Sequence, residues 1–163
     1  MTEGASNNEL LLALCRNDQE EELEKLVEEG KCNVNFADGA GNTAAHYAVK
    51  SGSIGCLEVL VNHDDVDLDV KNTLEGNTPL HLAVEYANQD HEMASALVEL
   101  LLAGGADPKI QNRDKFIPIQ LVNPKHSDIR EKLEEASAAY EMDDADIVAE
   151  DEDDEEGSAS EEE

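Results

Sequence analysis

Histidine and cysteine are the residue types in this chain best suited to catalytic chemistry. His46 and His81 stand 35 residues apart, and an imidazole titrates near neutral pH, so either ring could act as a general base. The chain also has three cysteines, Cys15, Cys32 and Cys56, and a thiolate is the nucleophile that such a base would activate. Cys15 and Cys56 lie on apolar faces of predicted helices, which indicates core positions, and no base is visibly arranged for Cys32. Cysteine catalysis is therefore not expected.

Metal binding finds no support in the spacing of the possible ligands. His63, His91 and His126 are scattered through predicted loops without the intervals of a metal site, and we expect them to be solvated. Five residues near the end of the chain match a calcium-loop register: Glu152, Asp154, Glu156, Gly157 and Glu163. Acid-rich segments produce such matches by chance, and the flanking helices of a calcium loop are missing. We expect no metal and no other cofactor.

Two serines near the end of the chain are candidates for phosphorylation. Ser158 and Ser160 are each followed three residues later by an acid, Glu161 and Glu163 respectively, and acid-directed kinases favour this pattern. A phosphate at either serine would add to a charge that is already strongly negative. Both serines are therefore predicted modification sites.

The charge of the chain excludes several classes of partner. The formal net charge is −29 over 163 residues, and residues 141–163 hold 14 acids and no Lys or Arg. Residues 1–140 therefore carry 26 acids and 11 bases, a net charge of −15. Such a surface repels nucleic-acid phosphates and anionic lipid, so we expect neither as a partner. A protein with a basic surface is the natural electrostatic complement.

Targeting and redox signals point to a reducing compartment. The first residues, MTEGASNN, have no basic start, apolar run or cleavage pattern, so no signal peptide is expected. No stretch approaches 18 apolar residues, the length that a membrane span requires. Three cysteines without CxxC spacing argue against a disulfide framework. We expect the protein in the cytosol, the nucleus or both.

The chain repeats itself at intervals close to 35 residues. Residues 41–49 read GNTAAHYAV and residues 76–84 read GNTPLHLAV, and a weaker echo, KFIPIQLV, occupies residues 115–122. Each segment is followed by an apolar run with helical spacing: 56–61, 97–102 and 129–133. Repetition at this period is typical of a stack of small helical units, each of which needs a neighbour to cover its apolar face.

These segments resemble the ankyrin repeat, whose signature is G-x-T-P-L-H-x-A and whose period is 33. Residues 100–107, LLLAGGAD, are similar to the LLLxxGAD ending of that family. The resemblance implies an all-α solenoid of about four helix-turn-helix units with β-turn fingers, over residues 7–139. The expected divisions are a flexible start, four units and a disordered acidic tail: 1–6, 7–40, 41–75, 76–114, 115–139 and 140–163.

Individual residues of the repeats agree with paired helices joined by turns. Thr78 is a predicted helix N-cap, and Pro79 follows at the first helical position, where its missing N–H is not needed. Gly76 permits a positive φ at the tip of a finger. The resemblance places His46 and His81 at the family's structural histidine, which bonds to neighbouring turns. We therefore expect no catalytic residue and no enzyme.

The third and fourth units depart from the pattern. About six extra residues lie near 88–92, between the two helices of the third unit, and predict a longer helix or loop there. In the fourth unit, Lys115, Ile117 and Gln120 replace the glycine, threonine and histidine of the signature, and Pro124 interrupts the helix pair. We expect this unit to be a frayed cap.

Ankyrin-repeat proteins bind partners through finger tips and the concave side of their first helices. Transferred to this chain, that surface comprises Asp38, Gly39, Ala40, Tyr47, Lys50, Ser51, Leu74, Glu75, Leu82, Glu85, Tyr86, Arg113, Asp114 and Phe116. Tyr47, Tyr86 and Phe116 are three of the five aromatic residues in the chain, and aromatic side chains often anchor interfaces. The alternative is that these rings pack between repeats.

The sequence therefore indicates a non-catalytic protein-interaction module that is a monomer when free. One hypothesis is an escort of a basic client such as a ribosomal protein, since the layout is similar to that of fungal escorts of newly made ribosomal proteins. The other is a stoichiometric regulator or assembly factor that binds an enzyme or a proteasome-type subunit through the concave face. The acidic tail either steers a cationic client or only maintains solubility.

Overall fold

The computed structural model describes the backbone of residues 3–152 and the side chains of residues 7–141. Its elements are α1 (Glu3–Arg16), α2 (Glu20–Glu29), α3 (Ala44–Lys50), α4 (Ile54–Val61), α5 (Pro79–Tyr86), α6 (His91–Ala103), a short 3₁₀ helix (Pro118–Leu121) and α7 (Ser127–Glu152). The described residues contain no β-strand, which confirms the predicted all-α class. Ser158, Ser160 and most of the calcium-loop register lie outside the described residues.

Helices of the same kind stack on one another along the molecule. The first helices form one row, in which α1 packs on α3, α3 on α5, and α5 on the 3₁₀ helix. The second helices form another row, in which α2 packs on α4, α4 on α6, and α6 on α7. Each unit contributes one helix to each row, so every unit covers an apolar face of the next.

Leucine and alanine side chains fill the space between the two rows. Leu57, Leu80 and Leu97 have no exposed surface, and Ala48 and Ala83 between them are equally buried. Burying a leucine contributes about 1.5–3 kcal/mol, whereas the alanines let the paired helices approach closely. Cys15 and Cys56 are fully buried in the same cluster, which confirms that they are core residues.

The helix starts in the second and third units follow the residues that the sequence singles out. Thr43 and Thr78 are N-caps whose hydroxyls accept a hydrogen bond from the N–H of the residue three positions on, and Pro79 is the first residue of α5. The finger-tip glycines Gly41 and Gly76 have φ values of 80° and 69°. Both predictions are confirmed, because caps and turns depend on contacts within a few residues.

Hydrogen bonds tie each finger to the next. The N–H of Thr73 donates to the carbonyl of Ala40 at 2.9 Å, and the N–H of Arg113 donates to the carbonyl of Glu75 at 2.9 Å. Four buried asparagines add side-chain bonds between fingers: Asn42, Asn72, Asn77 and Asn112. The fingers are therefore held as one rigid ladder, although no single finger has regular strand structure.

The ends of the repeat domain differ from the predicted boundaries. Helix α1 begins at Glu3, within the start that we predict to be flexible, and α7 continues to Glu152, past the predicted boundary at residue 139. Residues 140–152 contain three Glu, two Ala and one Met, which are strong helix formers, and no Gly or Pro, so the helix extends into the acidic segment. For residues 153–163 the disordered tail stays a prediction.

The prediction that three histidines are solvated in loops is wrong for His126, whereas His91 is 42% exposed but begins helix α6 and is not in a loop. Helix α6 has 13 residues, against 8 in α4, and this extension sets His91 at its first turn against the fourth unit. The Nε2 of His91 lies 2.8 Å from an oxygen of Asp128, and its ring stacks on His126 at 4.8 Å. His126 is only 7% exposed. His63 is half-buried, and its Nδ1 accepts a local bond from the N–H of Asp65.

The fourth unit has a reduced first helix. The 3₁₀ helix takes the place of a full α-helix, and the side-chain oxygen of Gln120 accepts a bond from the N–H of Ile117 at 2.9 Å. Gln120 thus replaces the signature histidine as a partner for the helix start. Ile129 and Leu133 of α7 are fully buried, so the unit still closes the core.

Candidate partner-binding face

Both signature histidines are buried and connect consecutive units through hydrogen bonds. In the second unit, His46 Nδ1 accepts from the N–H of Thr43 at 3.0 Å, and its Nε2 donates to the carbonyl of Asn77 at 2.9 Å. In the third unit, His81 makes the same pair of bonds, at 3.1 Å to Thr78 and at 2.8 Å to the carbonyl of Phe116. Burial lowers the pKa of both imidazoles, so they are neutral. Since both ring nitrogens are occupied, these histidines have a structural role, as predicted.

The half-buried Cys32 gains no activation from its surroundings. Its pKa is raised because burial disfavours the thiolate. Among residues 7–141, no group of three His, Cys, Asp or Glu side chains is placed to hold a metal ion. None of the described helices is both long enough and apolar enough to cross a bilayer.

Hydrogen bonds to the Asp38 carboxylate hold Tyr47 against the first finger. The Tyr47 hydroxyl donates to Oδ2 of Asp38, and Oδ1 of Asp38 accepts from the N–H groups of Ala40 and Asn42 at 3.0 and 3.1 Å. Burial by itself would raise the pKa of the Asp38 carboxyl, but the bonds from Tyr47 and the backbone hold it below its ordinary value. The Asp38 carboxylate is thus committed to the finger turn.

Two cations lie over the ring of Tyr47. The guanidinium carbon of Arg16 is 4.9 Å from the ring centroid, and Nζ of Lys50 is 5.8 Å from it. Both distances fall within the range of cation–π attraction. Neither cation forms an ion pair with any carboxylate of residues 7–141. Tyr47 and Lys50, which we predict to contact a partner, therefore belong to one cluster with Arg16.

Two carboxylates share a groove on the next unit along the stack. Its lining consists of Lys50, Glu75, Leu82, Glu85, Tyr86 and Gln89. Partial desolvation in the groove, and then the charge of Glu75, raise the pKa of Glu85. Glu75 Oε1 accepts from the side chain of Asn77 at 3.1 Å, but no ion pair reaches Glu75 or Glu85 within the described residues.

The finger tips present exposed apolar residues. Leu74 is 75% exposed, and Phe116 is 43% exposed although its carbonyl is fixed by His81. Arg113 is exposed at this tip, and its guanidinium donates one hydrogen bond to the carbonyl of Thr73 at 2.6 Å. Asp114 is an exposed tip residue beside it. The predicted residue Ser51 is exposed at the end of α3 and contacts none of these clusters through its side chain.

A family model described as ankyrin repeats (3 copies) matches residues 10–112 of this chain. The chain belongs to the ankyrin-repeat family. Ankyrin repeat-containing protein YGL242C of Saccharomyces cerevisiae is 31% identical over 137 residues, covering 75% of this chain and 72% of the yeast protein. Ankyrin repeats are protein-interaction modules, and we accordingly treat the exposed side of the first helices and the finger tips as a partner-binding face, called the binding face below.

Two further relatives are similar to this chain, and one of them is named as a regulatory subunit. Protein phosphatase 1 regulatory subunit 27 of Mus musculus is 28% identical over 125 residues, covering 77% of this chain and 76% of the mouse protein. Ankyrin repeat and SOCS box protein 3 of Homo sapiens is 36% identical over 98 residues, which cover 60% of this chain. This chain spans only 18% of the human protein.

The binding face includes residues that the sequence reasoning missed. Arg16 ends α1 just as Lys50 ends α3, and Glu85 lies at the corresponding position of α5, at intervals of 34 and 35 residues. Aligning the first unit by this period would have found Arg16, but that unit lacks the signature octad. The charge at this one repeat position thus changes from basic to acidic along the stack.

The predicted aromatic anchors have divided roles. Tyr47 is half-buried by Arg16, Lys50 and Asp38, so part of its ring serves the packing of the repeat ends. Tyr86 is also half-buried, and its hydroxyl lies so close to Gly52 that a Cβ there would be 2.5 Å away. Each tyrosine therefore packs between repeats with one part of its ring and leaves another part exposed to a partner.

Proposed function

We propose that this ankyrin-repeat protein is a non-catalytic escort that binds a client protein with a basic surface. The client is a Lys- and Arg-rich protein of the class that binds nucleic acid, such as a ribosomal protein, and the complex forms in the cytosol or the nucleus. The net charge of −15 over residues 1–140 supports attraction to such a client. The binding face supplies the specific contacts.

The groove at Glu75 and Glu85 is the observation that carries this proposal. Two carboxylates that form no ion pair within the described residues lie there beside Leu82 and Tyr86, and Lys50 also lines the groove. Partial desolvation, and then the charge of Glu75, raise the pKa of Glu85. A lysine or arginine of the client would relieve that repulsion, while its aliphatic stem would cover the ring and the leucine. The groove therefore offers an acidic and partly apolar site for a cationic side chain, because its two carboxylates outnumber its one lysine.

A charge-matched pair of variants tests the groove. Glu75→Gln/Glu85→Gln removes the two carboxylates, and Glu24→Gln/Glu28→Gln makes the same change in charge on the exposed side of α2. We expect the wild type and the α2 variant to recover one basic protein from a native cell lysate, and the groove variant to recover at least about tenfold less. Titration of that purified client, with and without about 0.5 M salt, then measures the affinity.

Equal recovery by the groove variant and the wild type would contradict the proposal. A client whose binding is unchanged at about 0.5 M salt would contradict it as well, since screening at that ionic strength removes exposed charge attraction. Circular dichroism of both variants checks that the helices are intact.

A second candidate function is stoichiometric regulation of an enzyme. One relative is named as a regulatory subunit of protein phosphatase 1, which favours this alternative. A chain that ends at Glu152 keeps every described helix and removes seven acids. An escort should lose association rate and salt sensitivity with this truncation, whereas a regulator that acts through the binding face alone should keep both.

A further inference from the structure

We infer that Arg16, Lys50 and Tyr47 form a second subsite on the binding face, and that this subsite takes one carboxylate side chain of the partner. We call it the cation–aromatic subsite. The inference rests on the proposed partner binding and adds to it, because it assigns an acidic residue to a client that is basic as a whole. The client would then be recognised by a pattern of charge and not by its net charge alone.

The shared stacking of Arg16 and Lys50 on Tyr47 is the first argument. Ion pairs with carboxylates form at Lys109, Arg130 and Lys132. Arg16 and Lys50 form no such pair among residues 7–141, as is true of most other cations there, but these two share the face of one aromatic ring. Two cations held over one ring keep their hydrogen-bond donors available for an incoming acceptor.

The nearby Asp38 carboxylate attracts Arg16 electrostatically, but it makes no direct ion pair with either cation because its oxygens are already hydrogen-bonded. All three hydrogen bonds to Asp38 come from the finger and from Tyr47, so its oxygens are directed away from an ion pair with Arg16. The same bonds fix the Tyr47 ring on which both cations lie. The subsite is therefore preorganised by the chain, which lowers the entropy lost when a partner binds.

The surrounding charge favours a carboxylate over a phosphate. The groove beside Arg16 is lined by Glu9, Leu12, Phe36, Asp38 and Gly39, so two acids stand next to the two bases. Lys50 in turn lines the groove that holds Glu75 and Glu85. These acids repel a phosphate dianion more strongly than a carboxylate of single charge, so the carboxylate is the better fit. A carboxylate also matches the planar fork of an arginine, with the apolar walls covering its methylene groups.

The repeat geometry sets the distance between the two subsites. Arg16, Lys50 and Glu85 occupy equivalent positions on α1, α3 and α5, and adjacent packed helices lie about 8–10 Å apart. An acid held between Arg16 and Lys50 is therefore about 10–15 Å from a base held at Glu85. At about 3.3 Å per residue, that separation corresponds to roughly three to five residues of extended chain.

Peptide display against the full-length protein tests this charge pattern directly. A library of random 12-residue peptides is selected on the wild type, on Arg16→Gln/Lys50→Gln and on the matched surface variant Lys25→Gln/Lys31→Gln. We expect the wild type and the surface variant to enrich peptides with Asp or Glu roughly three to five residues from Lys or Arg. The subsite variant should enrich the base without the acid.

A selected peptide is then synthesised with its acid and with the corresponding amide. The amide should bind the wild type at least about tenfold more weakly, and should differ by less than about twofold on Arg16→Gln/Lys50→Gln. An equal loss on both proteins, selection of peptides without an acid, or no enrichment at all by the wild type would overturn the inference. Thermal unfolding followed by circular dichroism verifies that the exposed substitutions leave the fold unchanged.

The experiment tests the two proposed subsites independently of each other. If peptides from Glu75→Gln/Glu85→Gln retain the acid but lose the base, the cation–aromatic subsite stands together with the groove. If that variant selects the same bases as the wild type, the proposed basic contact is wrong while the carboxylate subsite is still supported.

Discussion

At the scale of single residues, buried histidines connect one repeat to the next. Each ring accepts a backbone N–H of its own unit and donates to a carbonyl of the following unit, so one side chain performs a capping and a coupling role. Neutral imidazole suits both roles, because it carries one donor and one acceptor on opposite sides of a rigid ring.

Removing one of these histidines should lower the stability of the repeat stack measurably. We expect His46→Ala to lower the free energy of unfolding by about 1–3 kcal/mol, since the buried N–H of Thr43 would lose its acceptor and a cavity would open. Urea denaturation near pH 7.5 measures this loss. His63→Ala, at a half-buried loop position, is the control and should cost less than about 1 kcal/mol. An equal loss of unfolding free energy in both variants would contradict the role of His46 in connecting the repeats.

The same histidines predict how stability depends on pH. Burial places the pKa of His46 and His81 below the ordinary value of 6.5, so the unfolded chain binds protons at a pH at which the folded rings stay neutral. Stability contributed by these rings is therefore complete above about pH 7 and is lost as the pH falls from about 6.5 toward their folded pKa. Urea denaturation at about pH 7.5, about 6.5 and about 5.5 measures the slope. His46→Gln/His81→Gln should flatten it, and an unchanged slope would refute the assignment.

At the scale of elements, the fingers depend on close approach between neighbours. A Cβ on Gly41 would lie 2.6 Å from the backbone nitrogen of Thr73, in the next finger, and the φ of Gly41 is 80°. Gly30, at the end of α2, has a similar φ of 69° but open space around it. These two glycines separate the effect of backbone conformation from the effect of contact between repeats.

Alanine at the two positions should therefore give different losses. We expect Gly30→Ala to lower the free energy of unfolding by about 1 kcal/mol from its left-handed backbone alone. Gly41→Ala should lower it by at least about 1 kcal/mol more, because the adjacent finger must move. Chemical denaturation of both variants provides the comparison, and equal values would show that the finger ladder is loose.

Contacts of the α6 extension with α7 decide how firmly the last unit is held. The pKa of Asp128 is lowered chiefly by its hydrogen bond to His91, and the His91 ring covers His126. We expect His91→Ala to accelerate amide hydrogen exchange in residues 127–139 and to leave exchange in α5 unchanged. Arg130→Gln removes only an exposed pair with Glu134 and should change neither region. Uniform acceleration along the chain would contradict a local docking role.

At the scale of the whole molecule, negative charge opposes compaction. With 40 acids and 11 bases, the folded chain repels itself, and added salt screens this repulsion over about 10 Å at 0.1 M. We expect the free energy of unfolding to rise by about 1 kcal/mol between about 20 and about 200 mM sodium chloride. The chain that ends at Glu152 should show a smaller rise, and a decrease with salt would indicate that surface ion pairs dominate instead.

Repeat units, caps and fingers could be read from the sequence because each depends on residues close together in the chain. Thr78 and Pro79 start a helix, Gly76 turns a finger, and the period near 35 places one unit on the next. The same period, carried through the signature octads, indicated most of the binding face, including Tyr47, Lys50 and Glu85.

Three-dimensional packing alone revealed features that depend on contacts between distant residues. Arg16 contacts Tyr47 of the adjacent unit, and His126 is covered by a residue of the α6 extension. Asp38 is hydrogen-bonded by Tyr47 and forms no ion pair with Arg16 or Lys50. Local spacing carries no information on such contacts, because they depend on where each helix lies in the stack. The sequence thus determines the repeating frame, and the tertiary structure decides which charges on that frame remain available to a partner.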